Sequence, residues 1–371
     1  MLNFAPTEEQ EEIRTLARSV AVEQLRTRGR DSERSGDIPP ELMRTLAQTG
    51  LTTPFPESLG GSGTIEAVTY TVIAEELGFG DGALAMNILG SLMGPLTVLL
   101  AGDEQQQHQY IPPFCDERSA STQRGSLAFA ERTGGYELAD IRATAHPEGD
   151  HYIVNGAKRD VIHGSASSPR VVLLRIEGTE GTEGSADLDG LCALMIPAQI
   201  DGVRIRTDAQ KLGLIAAPSA SYDFTNASVA ASCMLGEPGN SGVVSAATLF
   251  DILRAGVACG MARGALEYAI NYARDRIAFG RPIASYQGIA FMVAEMAMKL
   301  DAARLYTWHA ATQWDGDVDL ASLVRDAEAA QRQAIKLAKS ATLDAVQIMG
   351  GAGFMQDHPA EMWVRNAAAM E

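Results

Sequence analysis

Apolar residues recur along this chain with three different periods. From residue 7 to about residue 117 the spacing is helical. Thr7 followed by Gln10 has the form of a capping box, and Ile13, Leu16, Ala17 and Val20 then fall on one face. The stretch PPELMRTLAQTG opens on proline and stops at Gly50, the usual asymmetry of a helix. FPESLGGSG reads as a loop, and AVTYTVIAEELGFG and DEQQQHQYIPPF read as further helices.

From about residue 125 to residue 236 the period shortens to two. RATAHPEGDHYIVNGAKRDVIHG alternates, with one turn predicted at 147–150 and another at Asn155 and Gly156, since Asn-Gly between alternating runs signals a hairpin. RVVLLRI, LCALMIPA, GVRIRT and SYDFTNASV add four short strands, so a small barrel or sandwich is expected. The acidic, glycine-rich EGTEGTEGSADLDG interrupts them and is expected as a mobile surface loop. From about residue 241 long helices return. Ile289, Met292, Val293, Met296, Leu300 and Ala303 fit a 3.6 period, and the alanine-rich run after residue 320 suits tight helix packing. The expected class is α+β: an all-α domain over 1–122, a β-barrel or sandwich domain over 123–238, and a helical bundle over 239–371.

Charge and cysteine usage narrow the function. A net charge of −17 repels phosphate backbones, so nucleic acid is not an expected partner. Cys115, Cys192, Cys233 and Cys259 form no CxxC pair and have no histidines at ligand spacing, which suggests reduced thiols in a cytoplasmic protein without a metal site. The acidic N-terminus lacks a signal-peptide apolar core, and the apolar run at 91–101 is too short to cross a bilayer, so no membrane association is expected.

Two motifs carry chemistry. RDRIAFGRPIASYQ places Arg276, Phe279 and Gln287 around a turn, and DAVQIMGGAGF places Gln347 before Gly350, Gly351 and Gly353. A permanently charged guanidinium, an aromatic face and bare backbone N–H groups together suit a dinucleotide pyrophosphate. With LTTPFPESLGGSG, AEELGFGD, QKLGLIAAPSASYDFTNASV and MLGEPGNSG in order around them, nearly the whole chain resembles the acyl-CoA dehydrogenase family. That resemblance implies a C-terminal four-helix bundle. It also implies FAD held between two subunits, one giving the arginine motif and the other the glycine turn. It further implies a homo- or heterotetramer built as a dimer of dimers, an acyl-CoA or acyl-carrier thioester substrate, and an electron-transfer flavoprotein as partner.

The sequence departs from the family where the chemistry is done. The family's flavin-contacting Thr is matched by Ala130, its flavin-covering Trp by Asp160, and its N5-bonding Thr or Ser by Ile162. One family position for the catalytic Glu is matched by Leu253, and the other lies just past Glu371, which leaves Glu371 as a weak candidate and the base unknown. The resemblance places Asp251, Arg254 and Tyr136 on the substrate side. Asp160 and His163 are expected to close a hairpin rather than act as acid and base. The expected activity is α,β-desaturation of an acyl thioester. The alternatives are a non-catalytic subunit that shares FAD with a homologous chain, and altered chemistry such as N-oxygenation.

Overall fold

The computed structural model describes residues 6–131, 137–177, 188, 190–207 and 211–371, so Tyr136 and almost all of the acidic glycine-rich stretch lie outside the described residues. Helix α1 (Glu8–Val20) starts at the capping box, with Thr7 and Gln10 bonding each other's backbone. Ala17 and Val20 are buried, while Leu16 stays at the surface. A π turn (Ala21–Leu25) leads into α2 (Arg26–Ser35). Helices α3 (Pro40–Gln48), α4 (Ala67–Gly80), α5 (Gly82–Ala101), α6 (Glu104–Tyr110) and α7 (Pro112–Cys115) follow.

The middle of the chain forms β1 (Ser126–Ala128), β2 (Thr144–Glu148), β3 (His151–Ile162), β4 (Arg170–Ile176), β5 (Leu191–Met195), β6 (Val203–Thr207) and β7 (Ser219–Ala230). Among the described residues they make one seven-stranded sheet in the order β1-β4-β2-β3-β7-β6, with β5 on β4. The predicted turn between β2 and β3 is present, but the turn at Asn155 and Gly156 is not. β3 runs straight through that pair because it is bonded on both edges, to β2 and to β7. Gly156, at φ 128°, instead makes a bulge at the register shift against β7. An Asn-Gly pair therefore bends a central strand here where it would reverse a free one.

The C-terminal part contains α8 (Ser241–Asp275), a two-rung hairpin of β8 (Ile277–Ala278) and β9 (Arg281–Pro282), α9 (Gln287–Trp314), α10 (Leu320–Met349) and the shorter α11 (Ala360–Ala368). α8 is buried along most of its length and packs on α4, α5, α9 and α10. Glu75 and Glu76 of α4 are buried and clamped by Arg263 of α8 and Arg304 of α9. The sequence reading understated α5: the helix is 20 residues long, and both it and α8 are long and apolar enough to span a bilayer. Their most apolar windows are 89% and 94% buried inside the fold, which makes them core helices.

One junction ties the helices to the sheet. Pro95 inside α5 has no N–H, so the Ser91 carbonyl loses its helical donor. The Gly125 N–H, just before β1, fills that place at 2.8 Å. The approach is tight: a Cβ on Gly125 would lie 2.4 Å from Pro95 Cδ and 2.8 Å from the Ser91 carbonyl oxygen. Gly125→Ala should cost about 1–3 kcal/mol by forcing these elements apart. Denaturant unfolding reads this directly, and a midpoint equal to wild type would show that the junction can relax.

Candidate functional site

The outer region lies at the end of α8. The hairpin tip residues Phe279 and Gly280 have φ of 51° and 84°, the left-handed pair that a type I′ turn needs. Glycine adopts this freely, but phenylalanine is strained there. The Phe279 ring is 97% exposed, so no internal packing compensates. Arg276, Gln287 and Gln347 are also exposed, and none makes a side-chain hydrogen bond or ion pair among the described residues. The three glycines divide their roles. A Cβ on Gly350 or Gly351 would meet nothing within 4 Å, whereas one on Gly353 would lie 2.7 Å from the Val346 carbonyl oxygen. Gly350 and Gly351 thus leave room for an incoming group, with the Gly350 N–H already given to the Gln347 and Val346 carbonyls, and Gly353 closes the turn on the Gly350 carbonyl at 2.9 Å. Ile277, Phe291, Met298, Phe354 and Met355 are exposed as well, a large amount of apolar surface for one end of a molecule.

The inner region is built quite differently. Ala130 is 2% exposed, and its carbonyl accepts from the Arg159 N–H at 3.0 Å. The gap between Ala130, Met93, Ile162 and Phe250 has a volume of about 10 Å3, room for no more than about one water. Half-buried Ile162 lines it and packs on α5, where a Cβ on Gly90 would lie 2.8 Å from Ile162 Cγ2. Asp160 is exposed at φ 53°, at the second irregularity of β3, with Arg159 3.5 Å away. His163 is buried, and its Nε2 lies 3.0 Å from the Asn87 carbonyl oxygen, so the ring is a neutral donor tying the end of β3 to α5. Burial pushes its pKa down to about 4, against the raising effect of that carbonyl. Neither residue closes a hairpin, and His163 has a structural partner.

Beside this gap lies a cavity of about 680 Å3 between α8, α10 and the edge of the sheet. Asp251 and Arg254 are 1% and 2% exposed, so they belong to the interior and not to a solvated helix face. Arg254 donates to the Met370 carbonyl oxygen at 2.8 Å and stands 3.6 Å from Asp251. Glu371 sits at the cavity's rim, 65% exposed and paired with Lys339. Leu253 is buried and offers no proton acceptor. Sequence reasoning missed Glu328, which lines the same cavity; nothing in the sequence sets it apart from Asp326 and Asp344 on the same helix.

The outer region fits a dinucleotide's phosphates and an adjoining aromatic contact. The inner gap, about 10 Å3 between Ile162, Phe250 and their neighbours, is too small for a tricyclic flavin ring as these side chains stand.

Comparison with known proteins covers the whole chain. Family models described as the N-terminal, middle and C-terminal domains of acyl-CoA dehydrogenase match residues 7–118, 126–227 and 240–371. A probable acyl-CoA dehydrogenase, FadE25 of Mycobacterium tuberculosis, is 31% identical over 98% of this chain and 91% of its own. The caffeyl-CoA reductase-Etf complex subunit CarC of Acetobacterium woodii is 32% identical over 97% of this chain and 93% of its own. The structure of butyryl-CoA dehydrogenase from Megasphaera elsdenii superposes with a TM-score of 0.82 at 26% identity, over 100% of this chain and 95% of that one.

The His163 environment gives a pH prediction. Its folded pKa lies below the unfolded value of about 6.5, so its contribution is fully present above that and is lost as pH falls towards 4. The loss should reach about 3 kcal/mol. His163→Gln should remove this component from the unfolding free energy measured between pH 7 and 4; an unchanged slope would mean that the imidazole is free to charge.

Proposed function

The chain belongs to the acyl-CoA dehydrogenase family, and on that footing we propose that it is one subunit of a flavoprotein oligomer that desaturates an acyl thioester between Cα and Cβ. FAD, when bound, supplies the hydride acceptor, and an electron-transfer flavoprotein receives the electrons. The residues of this chain that would hold FAD are those of the outer region. Arg276 offers two parallel donors to a phosphate, Gly351 offers its backbone N–H, Gly350 leaves room for close approach, and Phe279, Gln287 and Gln347 flank them.

The helix between the two regions supports sharing across an interface. Phe250, at the inner gap, and Arg276 are 276 − 250 = 26 residues apart in sequence, with α8 between them. At 1.5 Å per residue that is about 39 Å, more than an extended dinucleotide spans. One FAD therefore cannot touch both places in a single chain. The exposed apolar side chains at the outer region are the surface on which a second subunit would close. Free Cys115, Cys192, Cys233 and Cys259 suit the cytoplasm.

The observation that carries the reading is the contrast between an open phosphate grip and a closed ring gap. It favours a heteromeric arrangement, in which a homologous partner chain holds the flavin ring and brings the base that Leu253 lacks. No proton or hydride step is assigned to this chain's inner gap. The test is flavin content. Purified alone, the protein should be nearly colourless; co-expressed with a homologous neighbour it should carry FAD and bleach with acyl-CoA in the absence of oxygen. One FAD per chain in the protein alone would overturn the heteromeric form and leave a self-sufficient dehydrogenase. Within the loaded complex, Arg276→Ala should weaken FAD retention about tenfold, the worth of one charge-assisted contact. Absorbance after dialysis reads this, and wild-type flavin content would place the phosphates elsewhere.

A further inference from the structure

The glycine turn opens a loop, residues 350–359, that joins α10 to α11. Its own backbone bonds are few: the Gly353 N–H reaches the Gly350 carbonyl, Met355 reaches Ala352, and His358 reaches Met355. Phe354 and Met355 are 68% and 48% exposed, so the loop buries little apolar surface of its own. Among the described residues, two side chains from elsewhere in the fold hydrogen-bond to it. Arg30 of α2 donates to the His358 carbonyl at 3.3 Å and to the Gln356 carbonyl at 3.5 Å. The Tyr268 hydroxyl of α8 lies 2.8 Å from His358 Nδ1.

The His358 ring sits in an aromatic corner. Tyr268 and Tyr272 both meet it edge-on with ring centres 6.0 Å away, and Trp363 of α11 meets Tyr268 at 5.5 Å. Tyr268, Tyr272 and Arg276 follow at four-residue steps, so one side of α8 carries the partners of His358 and leads to the guanidinium at its end.

We propose that the Tyr268–His358 pair is a positioning contact for the cofactor, pinning the 350–359 loop to α8 so that the glycine turn is already shaped to receive a phosphate. The proposal rests on the reading of the outer region as the FAD phosphate grip. His358 comes after the turn, so the pair acts through the backbone of the loop and not on the phosphate itself. A loop that is ordered only at binding subtracts its ordering cost from affinity, and a loop held in advance does not. Arg30 holds the same loop but also pairs with Glu33 and Glu361, at 2.9 and 2.6 Å, so it serves α2 and α11 as well. The Tyr268 hydroxyl makes no other hydrogen bond among the described residues, so this half of the anchor is removable alone.

The experiment compares Tyr268→Phe, His358→Leu and His358→Asn with wild type. Tyr268→Phe keeps the ring and loses the hydroxyl. Asparagine donates or accepts in the place of Nδ1, and leucine does neither. In the purified chain alone, amide hydrogen exchange over 350–358 should quicken about fivefold in Tyr268→Phe and His358→Leu, the worth of one hydrogen bond. The denaturant midpoint should stay at the wild-type value. In the loaded oligomer the same two variants should release FAD about fivefold more readily, read by flavin fluorescence after dilution. His358→Asn should behave as wild type in both measurements. Tyr268→Phe combined with His358→Leu should be no worse than either alone, because the contact is lost only once. Wild-type FAD retention in both single variants, in an oligomer whose FAD Arg276→Ala loosens, overturns the proposal. So does a His358→Asn variant as weak as His358→Leu, or a midpoint that falls in step with the FAD loss, the mark of a merely structural contact. Unchanged retention in Arg276→Ala as well would remove the phosphate reading of the outer region, and the proposal with it, while the exchange rates still report whether the pair holds the loop.

Discussion

The rigidity of α8 governs the rest of the molecule. It is buried on nearly every side, so neither its direction nor its length can adjust to a ligand. Asp251 and Arg254 stand near its start, where it meets the sheet, and Arg276 stands at its far end beside the hairpin. The Glu75 and Glu76 clamps from α4 fix its middle against α9. Whatever binds at one end is therefore held at a set distance from whatever binds at the other. The spacing of the two regions is a property of this helix and not of any loop.

The two regions also differ in how they treat their own side chains. Outside, a strained Phe279 and the turn at Gly350 and Gly351, with no side chain over it, are left open to solvent, an arrangement that an isolated globule has no reason to keep. Inside, Ile162, Phe250 and Met370 are packed as in any core, and Arg254 spends its donor on the chain's own backbone. This contrast is what the proposed heteromeric arrangement rests on.

Much of the architecture was legible in the sequence because it follows local rules. The capping box at Thr7, the proline start of α3, the short apolar run of β4 and the alternation of β7 each report on neighbours within a few residues. What failed depended on distant partners. Asn155 and Gly156 have the chemistry of a reversal, but β2 and β7 hold both edges of β3 and leave only a bulge. The apolar run in α5 looked short because Gly82 through Gly90 mixes small residues with Asn87, whose side chain binds the Ala216 carbonyl and Asp37. The outer residues were singled out from two motifs, each short enough for its members to be read together, at 276–287 and 347–353. Glu328 was not, because only the packing of α10 on α8 turns one acid among many into the wall of a cavity.

The Pro95 junction bears on how this chain can be recombined. The missing N–H in the helix and the bare Gly125 before the sheet are two halves of a single lock, carried on segments about thirty residues apart in sequence. A chimera that inherits the helical part from one parent and the sheet from another keeps the lock only if both halves travel together. A cut anywhere between Pro95 and Gly125, including the natural-looking boundary between α7 and β1, thus separates residues that have to be inherited as a pair.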